Sequence, residues 1–133
     1  MFKLDNRIEK DSFLVKDNNV FQIRIMNISE VFWVILIPKN SNLTELYELE
    51  INNRNYLLNF AIELGEYLKS KERYDKTNIG MLGNVVSQLH LHLVLRKKSD
   101  PAWPGLVWGY NFKNKLDEKS KSNRSNLILQ FSK

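Results

Sequence analysis

The sequence predicts a single α+β domain built on a mostly antiparallel sheet, and three observations carry that prediction. Residues 20–26 alternate, with Phe21, Ile23 and Ile25 on one face and Val20, Gln22, Arg24 and Met26 on the other, the period of a half-buried strand. Val31-Phe32-Trp33-Val34-Ile35-Leu36-Ile37 is a continuous β-rich run stopped by Pro38, which suits a central strand covered on both faces. One long helical pattern, Leu57, Phe60, Ala61, Leu64 and Leu68, then separates these segments from two further strand candidates at residues 77–82 and 89–95. Tight turns between most of the strands favour antiparallel pairing over a βαβ alternation.

Taken in order, Phe13-Leu14-Val15 is a short apolar run, and Asp17-Asn18-Asn19 supplies the turn that pairs it with residues 20–26 as a hairpin. The polar stretch from Asn27 to Glu30 closes that strand. After Pro38, Asn40-Ser41-Asn42 can cap a short helix carrying Leu43, Leu46, Tyr47 and Leu49. The long helix directs Glu63, Glu66 and Lys69 away from its apolar stripe and is expected to end near Lys71. Gly83-Asn84 joins the last two strands, which brings the sheet to about five strands with one long and one short helix. Beyond Arg96, Pro101-Ala102-Trp103-Pro104-Gly105 excludes regular structure, and Leu106-Val107-Trp108 is apolar again. Residues 113–126 are rich in Lys, Ser and Asn and read as mobile, whereas Leu127-Ile128-Leu129 and Phe131 suggest a terminal strand or a surface for a partner. The organisation expected is a domain over residues 1–112 followed by a basic tail over 113–133.

At 133 residues, 43% hydrophobic and 26% charged, the chain has material for one core. It contains no cysteine, which excludes disulfides and thiolate zinc sites. Its first residues lack the apolar run of a signal peptide, and no stretch approaches the ~20 apolar residues of a membrane span, so a cytoplasmic location is expected. The net charge of +5 raises the question of nucleic acid. Residues 113–133 hold six basic side chains (Lys113, Lys115, Lys119, Lys121, Arg124, Lys133) against Asp117 and Glu118, so nearly all the excess sits there. A solvated tail accounts for the charge without a nucleic-acid face.

The segment that carries chemistry is Gln88-Leu89-His90-Leu91-His92-Leu93-Val94-Leu95-Arg96. Successive side chains of a strand point to opposite faces, so the four leucines share the core side while Gln88, His90, His92, Val94 and Arg96 share the other. Same-face neighbours lie about 6.6 Å apart, a spacing suited to a row of polar groups along a phosphate chain. Both histidines of the chain stand in this row. Four uses are open: two hydrogen-bonded histidines on a half-buried face, a metal site, general acid–base work, and direct attack of an imidazole on phosphorus. A zinc site wants three or four protein ligands, and here no third histidine exists; where a Glu a few residues further on would help, Arg96, Lys97 and Lys98 stand instead.

Gln88-Leu89-His90-Leu91-His92-Leu93-Val94 resembles the histidine-triad (HIT) motif, His-φ-His-φ-His-φ-φ with φ apolar. Agreement extends over roughly residues 13–109: a paired N-terminal hairpin, Asn27 closing a strand, an apolar strand ending at Pro38, a long helix, and a strand before the motif. The likeness is strongest to a bacterial subgroup with Gln first in the motif and a Trp-Pro-Gly segment after it, here Trp103-Pro104-Gly105. The resemblance implies a HIT-like fold and a homodimer. It implies hydrolysis or transfer at the α-phosphate of a nucleotide, with dinucleoside polyphosphates or nucleoside phosphoramidates as substrates, and no metal or other cofactor. It also implies residue roles. His90 matches the nucleophile that takes the nucleotidyl group, and His92 the histidine on the phosphate oxygens. Gln88 stands in place of the first histidine, and Asn27 matches a strand-end residue that holds the sugar. Gly83 and Asn84 lie in the loop before the motif, with Gly83 allowing phosphate approach, and Trp103 lies in a segment that borders the site. Two departures stand out. Gln88 carries no proton at neutral pH, and Val85 replaces a Ser or Thr that would donate to phosphate. They motivate the alternative of a nucleotide-binding module with little or no catalysis. The residues also leave Trp33 and Trp108 as packing side chains and Arg96 as a strand-end charge.

Overall fold

The turn chemistry at Asp17-Asn18-Asn19 closes the first hairpin. In the computed structural model, which describes residues 1–40 and 42–131, β1 (Ser12–Asp17) pairs antiparallel with β2 (Phe21–Met26). The Asn18 side-chain oxygen accepts from the N–H groups of Val20 and Phe21, both at 2.8 Å, so it substitutes for backbone at the bend. The register shifts between Leu14 and Lys16, a bulge of the kind that bends an edge strand.

Strand β3 (Phe32–Pro38) pairs antiparallel with β2 and is buried at all seven positions, as its unbroken apolar run predicts. It lies at the centre of a five-stranded sheet ordered β1-β2-β3-β5-β4, in which β4 is Lys76–Gly80 and β5 is Leu91–Arg96; each neighbouring pair is antiparallel. One face of β3, with Phe32, Val34 and Leu36, meets Leu89, Leu91, Leu93 and Leu95 and the long helix in the main core. The other face, with Trp33, Ile35 and Ile37, packs with Ile8, Val94 and Val107 in a second, smaller cluster. The leucine-lined back of the histidine segment is thus as expected.

The long helix α2 (Ile51–Glu72) begins a turn and a half before its first core leucine. Glu50 caps it, accepting from the N–H groups of Asn52 and Asn53. It ends where Arg73 adopts a left-handed conformation. The short helix expected over residues 43–49 contracts to a single 3-10 turn, Leu46–Glu48. Of its expected cap, Ser41 lies outside the described residues. The start is instead set by Glu48, whose carboxylate reaches back to the N–H groups of Thr44 (3.1 Å) and Glu45 (2.9 Å) and tightens the turn.

Two segments differ from the sequence reading. A short helix, α1 (Asn6–Asp11), precedes β1, capped by Asp5 and anchored by buried Ile8. It is too short to leave a periodic signal. The segment after residue 112 is not a loose tail. Residues 118–131 form helix α3 (Glu118–Phe131), capped by Asp117, which accepts from Ser120 N–H at 2.7 Å. The terminal strand, or partner surface, expected at residues 127–131 is therefore corrected to a helix seated on its own chain. Ser132 and Lys133 lie outside the described residues. Arg124, Leu127, Ile128 and Phe131 recur at helical spacing. Ile128 is fully buried, and Phe131 meets Phe60 and Tyr67 of α2 at ring-centroid distances of 5.5 and 5.1 Å. Arg124 lies over the Phe32 ring and donates to the carbonyls of Ile28, Ser29 and Val31. A solvated, polar composition hid this inward face. No helix of the described residues is long and apolar enough to cross a membrane.

Docking of α3 on the core predicts that Ile128→Ala lowers the unfolding free energy by about 2–5 kcal/mol, measured by urea denaturation. A helix merely resting on the surface would lose only a few tenths.

Candidate active site

The two histidines reach one cleft because β5 presents them on the face opposite its leucines. His90 precedes the strand in an extended approach and His92 stands within it; both rings are buried, with centroids 4.7 Å apart and planes inclined at 69°. They line a cleft of about 840 Å³, together with Trp33, Gly83, Asn84 and Trp108. Asn27 and residues 109–115 also line it.

The hydrogen bonds of His90 set its chemistry. Its Nδ1 lies 2.6 Å from the backbone carbonyl of Gln88. A carbonyl only accepts, so Nδ1 carries the proton and Nε2 is left with a free lone pair. This is the form of imidazole that attacks an electrophile. His92 is held differently: the Trp33 indole Nε1 donates to its Nδ1 at 2.9 Å. Burial pushes the His92 pKa down from 6.5 to about 3, and the neighbouring His90 adds to the shift.

Gln88 does not join the row expected of it. Its Nε2 donates to the carbonyl of Lys3 at 2.9 Å, and its Oε1 accepts from the N–H of Asp5 at 2.7 Å. Both ends of the amide are held by the N-terminal segment, in a small polar recess apart from the cleft. Competition for a buried amide decides its direction, since two backbone groups would otherwise go without partners. What Gln88 presents to His90 is therefore its main-chain carbonyl, not its side chain.

Asn27 lies on the cleft wall, but its Oδ1 accepts from the N–H of Leu116 at 3.0 Å. With Glu30, which accepts from the N–H groups of Lys113 and Asn114, it stitches residues 113–116 onto the end of β2. The expected tail is thus one wall of the site. Gly83 takes φ 73° in the loop that borders the cleft, the left-handed turn that glycine permits at little cost. Asn84 and Val85 also border it, and Val85 is largely exposed.

Trp103 is not on the cleft. Its ring stacks on the Arg96 guanidinium at 5.5 Å, within a clamp that the sequence did not announce. Buried Arg96 pairs with Asp100 at 2.7 and 3.1 Å and donates to Asn78 Oδ1 and the Gly105 carbonyl, each at 3.0 Å. Burial pulls the Asp100 carboxyl up, but the hydrogen bonds and charge of Arg96, with the N–H groups of Ala102 and Trp103, more than offset this and hold it below the usual carboxylate range. The clamp ties down the irregular segment and delivers Trp108 to the cleft. Trp108 stands edge-on to His92 (5.4 Å, 80°) and to Trp33 (6.2 Å, 85°). It fits because residue 80 is glycine: a Cβ there would fall 2.9 Å from the Trp108 ring. Trp33, Trp108, Gly80 and the Arg96–Asp100 pair are site residues that sequence reasoning missed. The available signal was register, since Trp33 lies opposite Val94 and diagonal to His92 on the same face. Among the described residues there is no group of three or more His, Cys, Asp or Glu side chains suited to a metal ion.

Two measurements follow from this geometry. Between about pH 6.5 and about pH 3 the unfolded chain takes up a proton at residue 92 that the folded chain refuses, so stability is lost as pH falls through that window. Urea denaturation from about pH 7 to about pH 4 should show the decline, with a shallower slope in His92→Asn. Replacing Arg96 with Met leaves the Asp100 carboxylate buried without its partner and should cost about 3–5 kcal/mol in the same assay.

The fold matches that of known proteins. A family model described as HIT domain matches residues 7–99. A histidine triad protein of Sinorhizobium meliloti is 33% identical over 97% of this chain and 96% of its own, with a TM-score of 0.91. One of Marinobacter aquaeolei is 34% identical over 98% of this chain and 95% of its own, also at 0.91. One of Bradyrhizobium japonicum is 26% identical over 97% of this chain and 96% of its own, again at 0.91. A search of curated proteins finds no match. With a family model covering most of its length and solved relatives aligned along nearly all of it, this chain belongs to the HIT domain family.

Proposed function

We infer that the protein is a nucleotide hydrolase or nucleotidyl transferase in which His90 attacks the α-phosphorus. The observation that carries this reading is the 2.6 Å contact from His90 Nδ1 to the Gln88 carbonyl, which leaves the Nε2 lone pair free beside a cleft of nucleotide size. Family membership supports nucleotides as the ligand class. In the first step Nε2 forms a bond to phosphorus while the bond to the leaving group breaks, its electron pair departing with that group. The imidazolium so formed keeps its Nδ1 proton against the carbonyl. Water then attacks phosphorus, the P–N pair returns to Nε2, and the nucleoside monophosphate is released with loss of the water proton to solvent. His92 and backbone N–H groups of the loop at Gly83 and Asn84 face the developing charge on the non-bridging oxygens.

The nucleotide's sugar and base fall to the wall at Asn27, Met26, Ile28 and Phe112. Candidate substrates are dinucleoside polyphosphates and nucleoside phosphoramidates. A homodimer and a cytoplasmic location belong to the same reading. A binding module with slow turnover is the second reading, favoured by the withdrawn Gln88 amide and by Val85, which brings no hydroxyl.

Mixing excess enzyme with nucleotide substrates and quenching within one turnover should yield protein heavier by one nucleotidyl group, mapped to residue 90 by mass spectrometry. His90→Ala should abolish the adduct while leaving nucleotide binding within several-fold. Saturable nucleotide binding by the unaltered protein without any adduct would instead establish the binding module.

A further inference from the structure

His92 is enclosed by three rings: Trp33 at 5.6 Å, Trp108 at 5.4 Å and His90 at 4.7 Å between centroids. One of its nitrogens is already committed. The indole N–H of Trp33 is a donor only, so Nδ1 of His92, 2.9 Å away, must be the bare acceptor. In the neutral ring the proton then sits on Nε2. To become cationic, His92 would need a second proton on Nδ1, and that proton would face the Trp33 N–H head-on. To give up its Nε2 proton it would become an imidazolate, and the group behind it has no proton to supply except by forming an indolide. A proton path through His92 ends at Trp33.

We propose that Trp33 is a positioning residue that locks His92 as a neutral Nε2–H donor to the phosphoryl oxygens, unable to protonate a leaving group, and that the site therefore takes a phosphoanhydride in preference to a phosphoramidate. This rests on the nucleotidyl-transfer reading above. The depressed pKa of His92 accords with the hydrogen-bond geometry. The chemistry of the two bonds separates the substrates. When His90 Nε2 bonds to phosphorus in an anhydride, the P–O pair departs on a phosphate oxygen, which is stable as an anion. In a phosphoramidate the P–N pair would depart on an amine nitrogen, which leaves only when protonated. The first motif position cannot help, because the Gln88 amide carries no titratable proton and is held at both ends by Lys3 and Asp5 backbone. The pairing also gives the two histidines complementary faces: His90 brings a lone pair at Nε2 and His92 a hydrogen at Nε2.

The test has two arms on the full chain. Long-range proton–nitrogen spectra of nitrogen-15-labelled protein read which ring nitrogen of His92 is protonated, independently of any activity. The unaltered protein should show Nε2 protonated and Nδ1 bare. In Trp33→Phe, and in a protein carrying benzothienylalanine at position 33, which keeps the bicyclic shape without the N–H, the two nitrogens should become mixed. In the second arm, adduct formation is timed with dinucleoside triphosphates and nucleoside 5′-phosphoramidates of adenosine and guanosine. The anhydrides should react about a hundredfold faster or more, the scale of a missing general acid. Both position-33 variants should slow the anhydride reaction about tenfold, the cost of removing the group that orients a histidine. Nδ1 of His92 found protonated in the unaltered protein, an unchanged tautomer in both variants, or phosphoramidates that match the anhydrides would overturn the proposal. If no substrate yields an adduct, the transfer reading and the leaving-group preference fall together, while the spectra still decide whether Trp33 sets the His92 tautomer.

Discussion

The hydrogen bond from His90 Nδ1 to its own chain two residues back is the constraint on which the site depends. It forms where the chain bends at Gln88 and enters β5 at Leu91, which brings the Gln88 carbonyl against the His90 ring. The course is held from behind, where Leu89, Leu91, Leu93 and Leu95 are embedded in the main core against α2. A one-residue slip would turn every one of those leucines into the cleft and both imidazoles into the core, which the burial energetics of four leucines forbid. Packing on one face thereby dictates protonation on the other.

Two structural devices bring the remaining walls to that strand. The Arg96–Asp100 clamp fixes the irregular segment after β5 and seats Trp108 over the glycine at position 80. The stitches from Asn27 and Glu30 to residues 113–116, together with Arg124 on the carbonyls of residues 28–31, hold the C-terminal segment across the open side. Neither device supplies a reacting atom. Both convert chain without regular structure into surface with defined orientation.

Much of this was legible in the sequence, and the limits have physical causes. The alternation at residues 20–26, the unbroken run ending at Pro38 and the leucine face of β5 are periodic signals, and the sheet followed them. The histidine pair was legible because alternation assigns faces without knowledge of neighbours. Side chains whose roles depend on what arrives from elsewhere were not. Gln88 belongs to the right row by period, yet the backbone of Lys3 and Asp5 claims it. Arg96 reads as a strand-end charge until Asp100 folds back over it. Trp33 reads as a core residue until the strand register sets it diagonal to His92. The helical spacing of Arg124, Leu127, Ile128 and Phe131 was present but masked by the lysines, serines and asparagines before and between them, so residues 113–126 read as loose and 127–131 as a strand or partner surface, when together they complete both the core and the cleft.

The two-ended grip on Gln88 gives position 88 an unusual standing. Its main chain meets the His90 ring, and its side chain moors the segment that leads into α1. Placing an imidazole there is consequently not a local change. The five-membered ring cannot reproduce the paired grip of a planar amide on the carbonyl of Lys3 and the N–H of Asp5, so the leading residues would lose their mooring as the new ring turned towards the cleft. Exchange at this site trades one architecture for another, and a chimera grafting a three-histidine row onto this scaffold would have to redesign the N-terminal eight residues at the same time.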